Sequence, residues 1–167
     1  MTNLKMSILA GVLLALAFNG TAAAQAKSPD LAAEEANRAL VIEFYDLFFN
    51  QHKVDEAAKM VAEDYKQHNP TVPDGKEPFV SYYREFFQQT PESSDLVARS
   101  AVDGDIVWLH VHSTNDEHDL GEAVIDIFRV KDGLIVEHWD VIQNVPETAE
   151  KQQYHVLRRG HAAKLQS

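Results

Sequence analysis

Residues 123–143, AVIDIFRVKDGLIVEHWDVIQ, constrain this chain more than any other segment. Two runs rich in Val and Ile flank Asp132-Gly133, and that dipeptide between apolar runs is the strongest short-range signal for a tight β-hairpin. Each run also breaks the pattern that a buried strand should keep. Asp126 sits between Ile125 and Ile127, while His138 and Asp140 flank Trp139 ahead of Val141-Ile142. Strand side chains alternate faces, so His138, Asp140 and Ile142 fall on one face. A carboxylate taken out of water must be paired, neutralised or used. The hairpin therefore predicts a polar pocket set into an otherwise apolar sheet.

The rest of the chain supplies a frame for that hairpin. Ser28-Pro29-Asp30 reads as a helix start, with Ser28 as N-cap and Pro29 at the first helical position. A helical stripe of Leu31, Leu40, Val41, Phe44, Tyr45 and Phe48 then runs to about Asn50. Val54 to Met60 makes a short second helix. Tyr65 to His68 is pushed toward extended backbone ahead of Asn69-Pro70, and Pro70 to Gly75 is a loop. A third helix spans about 77–88, with Pro78 in its first turn and a run of aromatic side chains. After Pro91, segments 96–102 and 105–113 pair across Asp103-Gly104, a polar turn follows, and 121–143 is the opening hairpin. Helices first and strands afterwards predict an α+β fold: about three N-terminal helices packed on a strongly curved antiparallel sheet of four or more strands, closing into a cone.

The N-terminus stands apart. Lys5, the apolar run Met6 to Phe18 and Ala22-Ala23-Ala24 form a signal-peptide pattern, with cleavage expected after Ala24 or, failing that, Ala26. The run is shorter than the roughly 20 residues a membrane span needs. The expected organisation is a signal peptide at 1–24, a lead at 25–34, one domain at 35–147 and a tail at 148–167, in a periplasmic or secreted product. The chain has no cysteine, which excludes thiol catalysis and thiolate metal sites. Its formal charge of −11, one unit more negative without Lys5, argues against nucleic acid and anionic membranes as partners. Lys151, Arg158, Arg159 and Lys164 in the tail are too sparse to bind a polyanion.

Three polar groupings interrupt the apolar framework. Gln67-His68-Asn69-Pro70 either contributes to a pocket or caps a loop. Trp108, His110 and His112 alternate with Val107, Leu109 and Val111, so they face either a pocket or the outside of the sheet, where a partner subunit could cover them. Asp126 lies on one arm of the last hairpin and His138 with Asp140 on the other; Asp126 either belongs to a pocket or pairs with Arg129 or another strand's cation. His110-x-His112 with His68 or His138 and an acid has the ligand types of a metal site, a competing reading. No G-x-S-x-G or phosphate-binding glycine loop is present.

QHNP followed by PDGKE, then DGDIVWLHVHS, then AVIDIFRVKDGLIVEHWDVIQ resembles the SnoaL-like polyketide cyclase branch of the nuclear-transport-factor-2-like superfamily, over residues 35–147. The resemblance implies the cone fold, a homodimer through the outer sheet face, a small apolar ligand, and chemistry without metal or cofactor. Ketosteroid isomerases of this superfamily keep one carboxylic acid protonated as a hydrogen-bond donor and use another as base. The first falls on Asp126; the second falls near Asn69, which cannot take a proton and so argues against that activity. In SnoaL-like cyclases the base is an aspartate on the last strand, matching Asp140, or Gln143 if the acid lies four residues past the tryptophan.

The resemblance implies a cofactor-independent lyase, isomerase or cyclase acting on a small apolar carbonyl compound. Asp140 would remove a proton α to the carbonyl, oriented by His138 or Asp126. Asn69 with His68 or His110 would bond the enolate oxygen. Trp108, Trp139, Tyr65 and the aromatic third helix, beside His112, would form the apolar wall. The alternatives are a non-catalytic module binding an apolar ligand in the same cone, or the histidine metal site.

Overall fold

The computed structural model describes residues 28–148. The expected signal peptide and the basic tail lie outside the described residues. Helix α1 covers Leu31–Tyr45 and continues as a π turn at Asp46–Asn50; α2 is the single turn Val54–Ala57, extended by a 3-10 turn at Ala58–Met60; α3 is Lys76–Gln89. The strands are β1 Val61–Gln67, β2 Ser94–Asp103, β3 Ile106–Thr114, β4 Glu122–Lys131 and β5 Leu134–Asn144. They form one sheet in the order β1-β5-β4-β3-β2, with β1 parallel to β5 and every other pair antiparallel.

Three local differences from the sequence reading have physical causes. The cap of α1 is Asp30, whose Oδ1 accepts from the Ala33 N–H at 3.2 Å, not Ser28; aspartate caps as well as serine, and Pro29 then sits outside the helix. The α-helix stops at Tyr45, and the wider π turn after it gathers Phe44, Phe48 and Phe49 into one ring cluster, with Phe48 and Phe49 centroids 4.9 Å apart. The segment before Asn69-Pro70 is a true fifth strand. Its register on β5 breaks between Val61 and Lys66, which hides the alternation a strand reading depends on.

The sheet curves because two strands carry an extra residue. On β2 the register slips between Val97 and Arg99, and on β5 Val136 is left over between Ile135 and Glu137. The second bulge lets both Ile135 and His138 point inward. The inner face carries Val107, Leu109 and Val111 of β3 and Val124, Phe128 and Val130 of β4. Val41, Phe44 and Phe48 pack on it from α1, and Phe79 and Phe87 from α3. Stacked rings tie the helices together, Phe48 on Phe79 at 5.0 Å. The last hairpin turns as expected: Asp132 and Gly133 have φ of 52° and 76°, the paired positive values of a type I′ turn.

Gly121 opens β4 at the cone's rim. Its φ is +74°, and a Cβ there would lie 2.1 Å from the Ser113 carbonyl oxygen. Gly121→Ala should therefore destabilise the fold by about 2 kcal/mol or more, read as a lower urea midpoint. An unchanged midpoint would show that the β3–β4 connection relaxes freely.

Candidate functional site

The inner sheet face does not stay apolar to its end. Asp126 on β4 and Asp140 on β5 are direct cross-strand partners, and His138 stands one inward position before Asp140. Asp126 and His138 are both buried. His138 Nε2 lies 2.9 Å from Asp126 Oδ1, and its Nδ1 lies 2.9 Å from Gln67 Oε1. That Gln67 oxygen also accepts from the Asn69 N–H at 3.0 Å, while Gln67 Nε2 donates to the Tyr65 hydroxyl at 3.1 Å. The amide orientation is thus set, and His138 Nδ1 must be the donor in its bond to Gln67. Nε2 and Asp126 Oδ1 then need one proton between them, on the ring or on the acid. Either way Asp126 is no lone charge.

Asp126 has a second partner. The Tyr45 hydroxyl reaches its Oδ2 at 2.8 Å and Asp95 Oδ2 at 3.2 Å, so one phenol from α1 bridges two carboxyl groups from β4 and β2. A phenol has a single proton to give, so it can donate to only one of them. Burial, with Asp126 and Glu122 nearby, raises the Asp95 carboxyl to about 6 despite lowering bonds from Ser113 and Tyr45. Tyr45 and Tyr83 are pushed far above the ordinary phenol value, first by burial and then by the charges of Asp126 and Asp95. Tyr65 moves the same way through burial, Asp126 and Asp140. All three stay protonated donors at any physiological pH.

Asp140 is held differently. Its Oδ2 accepts from the Asn69 side-chain amide at 2.5 Å, and Asn69 Oδ1 is fixed by the Thr71 N–H and hydroxyl at 2.8 and 2.7 Å. Oδ1 of Asp140 makes no hydrogen bond among the described residues. These groups border a cavity of about 290 Å³, at the lower end of the size that takes a small molecule. Its walls include the rings of Phe49 from the π turn, Phe79, Tyr82 and Phe86 from α3 and Phe128 from β4.

The structure thus brings together Asp126, His138, Asp140, Asn69 and Tyr65 of the residues that the sequence singled out. It does not bring in the others. Trp108, His110 and His112 lie on the outer face of β3, behind fully buried Val107, Leu109 and Val111. His110 bonds Arg99, and His112 bonds the Leu120 carbonyl at 2.8 Å. Trp139 also faces outward, stacked on His68 at 4.8 Å and lying under Arg129. His68 Nε2 meets Glu137 at 2.9 Å on that same outer side. Neither His68 nor His110, expected to bond the enolate oxygen, lines the cavity. The histidine ligand set is not assembled either, because His110 and His112 sit across the sheet from His138. Arg129 pairs with Asp105 and Glu137 rather than Asp126. Gln143 is exposed on the outward register, so the inward acid of β5 is Asp140.

Asp126, His138 and Asp140 have ligand-type atoms within 4.8 Å of one another. A metal there would have to break the His138–Asp126 bond. The aromatic third helix, Tyr83 included, lines the cavity as expected of it. The residues that sequence reasoning missed are Tyr45 and Asp95: Tyr45 looked like core in a helical stripe, and Asp95 like a loop acid before a strand.

Because the folded Asp95 binds its proton more tightly than the usual carboxylate, the native state loses stability as pH rises from about 4 to about 6. The loss at neutral pH is at most about 3 kcal/mol. Asp95→Asn should therefore raise stability at pH 7 and have little effect at pH 4, checked by urea unfolding at both values. Equal effects at the two pH values would mean that the Asp95 charge carries no such penalty.

The SnoaL-like domain family matches residues 41–138. No curated protein matches the chain. Among solved structures, a SnoaL-like protein of unknown function from Burkholderia thailandensis E264 aligns with TM-score 0.58 at 17% identity, covering 66% of this chain and 97% of that one. A protein of Kribbella flavida DSM 17836 whose name proposes a ketosteroid isomerase aligns with TM-score 0.55 at 23% identity, covering 75% and 90%. One of Bacillus cereus ATCC 10987 whose name proposes a polyketide cyclase gives 0.55 at 24%, covering 65% and 74%. At these identities the structural likeness shows the fold, and the family match, spanning more than half the chain, carries the membership. The chain belongs to the SnoaL-like domain family.

Proposed function

We propose that this protein is a proton-transfer catalyst, a lyase, isomerase or cyclase acting on a small carbonyl compound without a cofactor, with Asp140 as its base. The observation that carries this reading is the asymmetry of Asp140, which lines the cavity: Asn69 holds Oδ2, and Oδ1 has no hydrogen bond among the described residues. A base needs that arrangement, one oxygen fixed for orientation and one free to take the proton. The proton removed from the carbon α to the carbonyl goes to Oδ1. It returns to another carbon in an isomerisation, or to the alkoxide formed in an intramolecular aldol reaction.

The enolate oxygen needs a donor. Asn69 commits one of its two amide hydrogens to Asp140, and Tyr65 offers a hydroxyl. Its oxygen accepts from Gln67, so its own proton is available to a ligand, and the ring lines the cavity. A buried hydroxyl that stays protonated and is aimed at developing charge is worth more than the same group in water. His138 and Asp126 position Gln67 and Tyr45 from below. We also read the chain as exported, on its N-terminal pattern, and as a homodimer through the outer sheet face. There Trp108, Ile127 and Trp139 are in register across three strands, and Val141 is 65% exposed.

The test is deuterium exchange at the α-carbons of a panel of small cyclic ketones, followed by proton NMR. The native chain should accelerate exchange for at least one of them. Asp140→Asn should lose about 100-fold or more of that rate with its circular dichroism unchanged. An unchanged rate removes Asp140 from the mechanism, and no acceleration by the native chain favours a binding module.

A further inference from the structure

The cavity's charge is one-sided. Asp95, Asp119, Glu122, Asp126 and Asp140 all line it, and no lysine or arginine does. The nearby cations are spent on the surface: Arg84 on Asp55, Lys76 on Glu63, Arg129 on Asp105 and Glu137. Asp126 has His138, and Asp140 has the Asn69 amide. Asp95 has only neutral partners, the hydroxyls of Tyr45 and Ser113. A carboxylate sunk in a wall without a counter-ion costs stability, and a cation brought by a ligand would offset that cost.

A second observation points the same way. Tyr83 is packed among Phe48, Phe49, Phe79, Phe86 and Phe87, lines the cavity, and has no hydrogen-bond partner among the described residues. Its hydroxyl lies within the field of Asp95 and Asp126. Ring faces beside a carboxylate are the surroundings in which an organic cation is held. On the surface, Glu92 before β2 and Asp116 and Glu117 after β3 line one hollow, and their charge favours the approach of cations over anions.

We propose that the cavity takes a cationic ligand, a small apolar body bearing an ammonium group, with the charge seated between Asp95 and the rings of α3. This rests on the reading of the site as a carbonyl-processing pocket and adds the substrate's charge: its carbonyl end faces Asp140 and Tyr65, and its ammonium end faces Asp95. The groups facing Asp95 are Tyr45 from α1, Tyr83 from α3, Ser113 from β3, and Glu122 and Asp126 from β4. None is a cation, so protonating Asp95 should weaken the ligand's hold.

Calorimetry on the whole chain at about pH 7.5, with 2-phenylethylammonium, 2-phenylethanol and 3-phenylpropionate, tests this. The ammonium should bind at least about tenfold tighter than the alcohol, and the carboxylate should not bind measurably. The preference should fall severalfold at about pH 5 in the native chain, and at pH 7.5 in Asp95→Asn. Equal binding of ammonium and alcohol, any preference for the carboxylate, or no binding of the ammonium at millimolar concentration overturns the proposal. None of the probes is a ketone, so this outcome is independent of whether Asp140 catalyses exchange.

Discussion

A carboxyl group at the floor of an aromatic cone has to be given partners, and much of this site follows from how Asp126 gets them. His138 supplies one from the neighbouring strand, and Tyr45 supplies the other from the helix above. His138 can face Asp126 only because the bulge at Val136 turns it inward, and only because Gln67 on the parallel edge strand fixes its other nitrogen. Gln67 in turn is oriented by the Asn69 N–H, and the Asn69 side chain holds Asp140. One buried acid thus sets the register of β5, the placement of β1 and the aim of the candidate base. Breaking any member would leave a buried polar group unsatisfied, which is why such networks specify one arrangement.

The two faces of the sheet divide the labour. The inner face stacks Val, Leu and Phe for stability and reserves its last rows for carboxyl groups. The outer side carries Arg99 with His110, and His68 with Glu137 and Trp139, tied by hydrogen bonds and stacking. Stability and function pull against each other at Asp95, whose charge is expensive where it sits. A site that keeps such a group is spending fold stability on something, and a ligand's charge is the physical candidate.

The α+β layout, both hairpins and three helices could be read from periodicity and turn chemistry, because those signals are local. The Asp126–His138–Asp140 cluster was legible for the same reason: an acid between two isoleucines is conspicuous in eleven residues. The histidine-rich strand misled because alternation shows that Trp108, His110 and His112 share a face but not which face. Val107, Leu109 and Val111 are the better core row, and packing against α1 decided the matter. Tyr45 and Asp95 lie fifty residues apart and meet only in the folded chain. No local pattern marks such a pair. β1 escaped notice because its break in register removes the period of two.

The arrangement at the cone's floor stands or falls on where His138 carries its protons. Side-chain 15N NMR of the whole chain with labelled histidine reads this directly, the His138 signals being identified by their loss in His138→Asn. The geometry requires Nδ1 to be protonated at neutral pH, with the Nε2 signal showing a hydrogen bond to Asp126. A neutral ring with its only proton on Nε2 and a bare Nδ1 would contradict it, and with it the chain of bonds that aims Asp140 at the cavity.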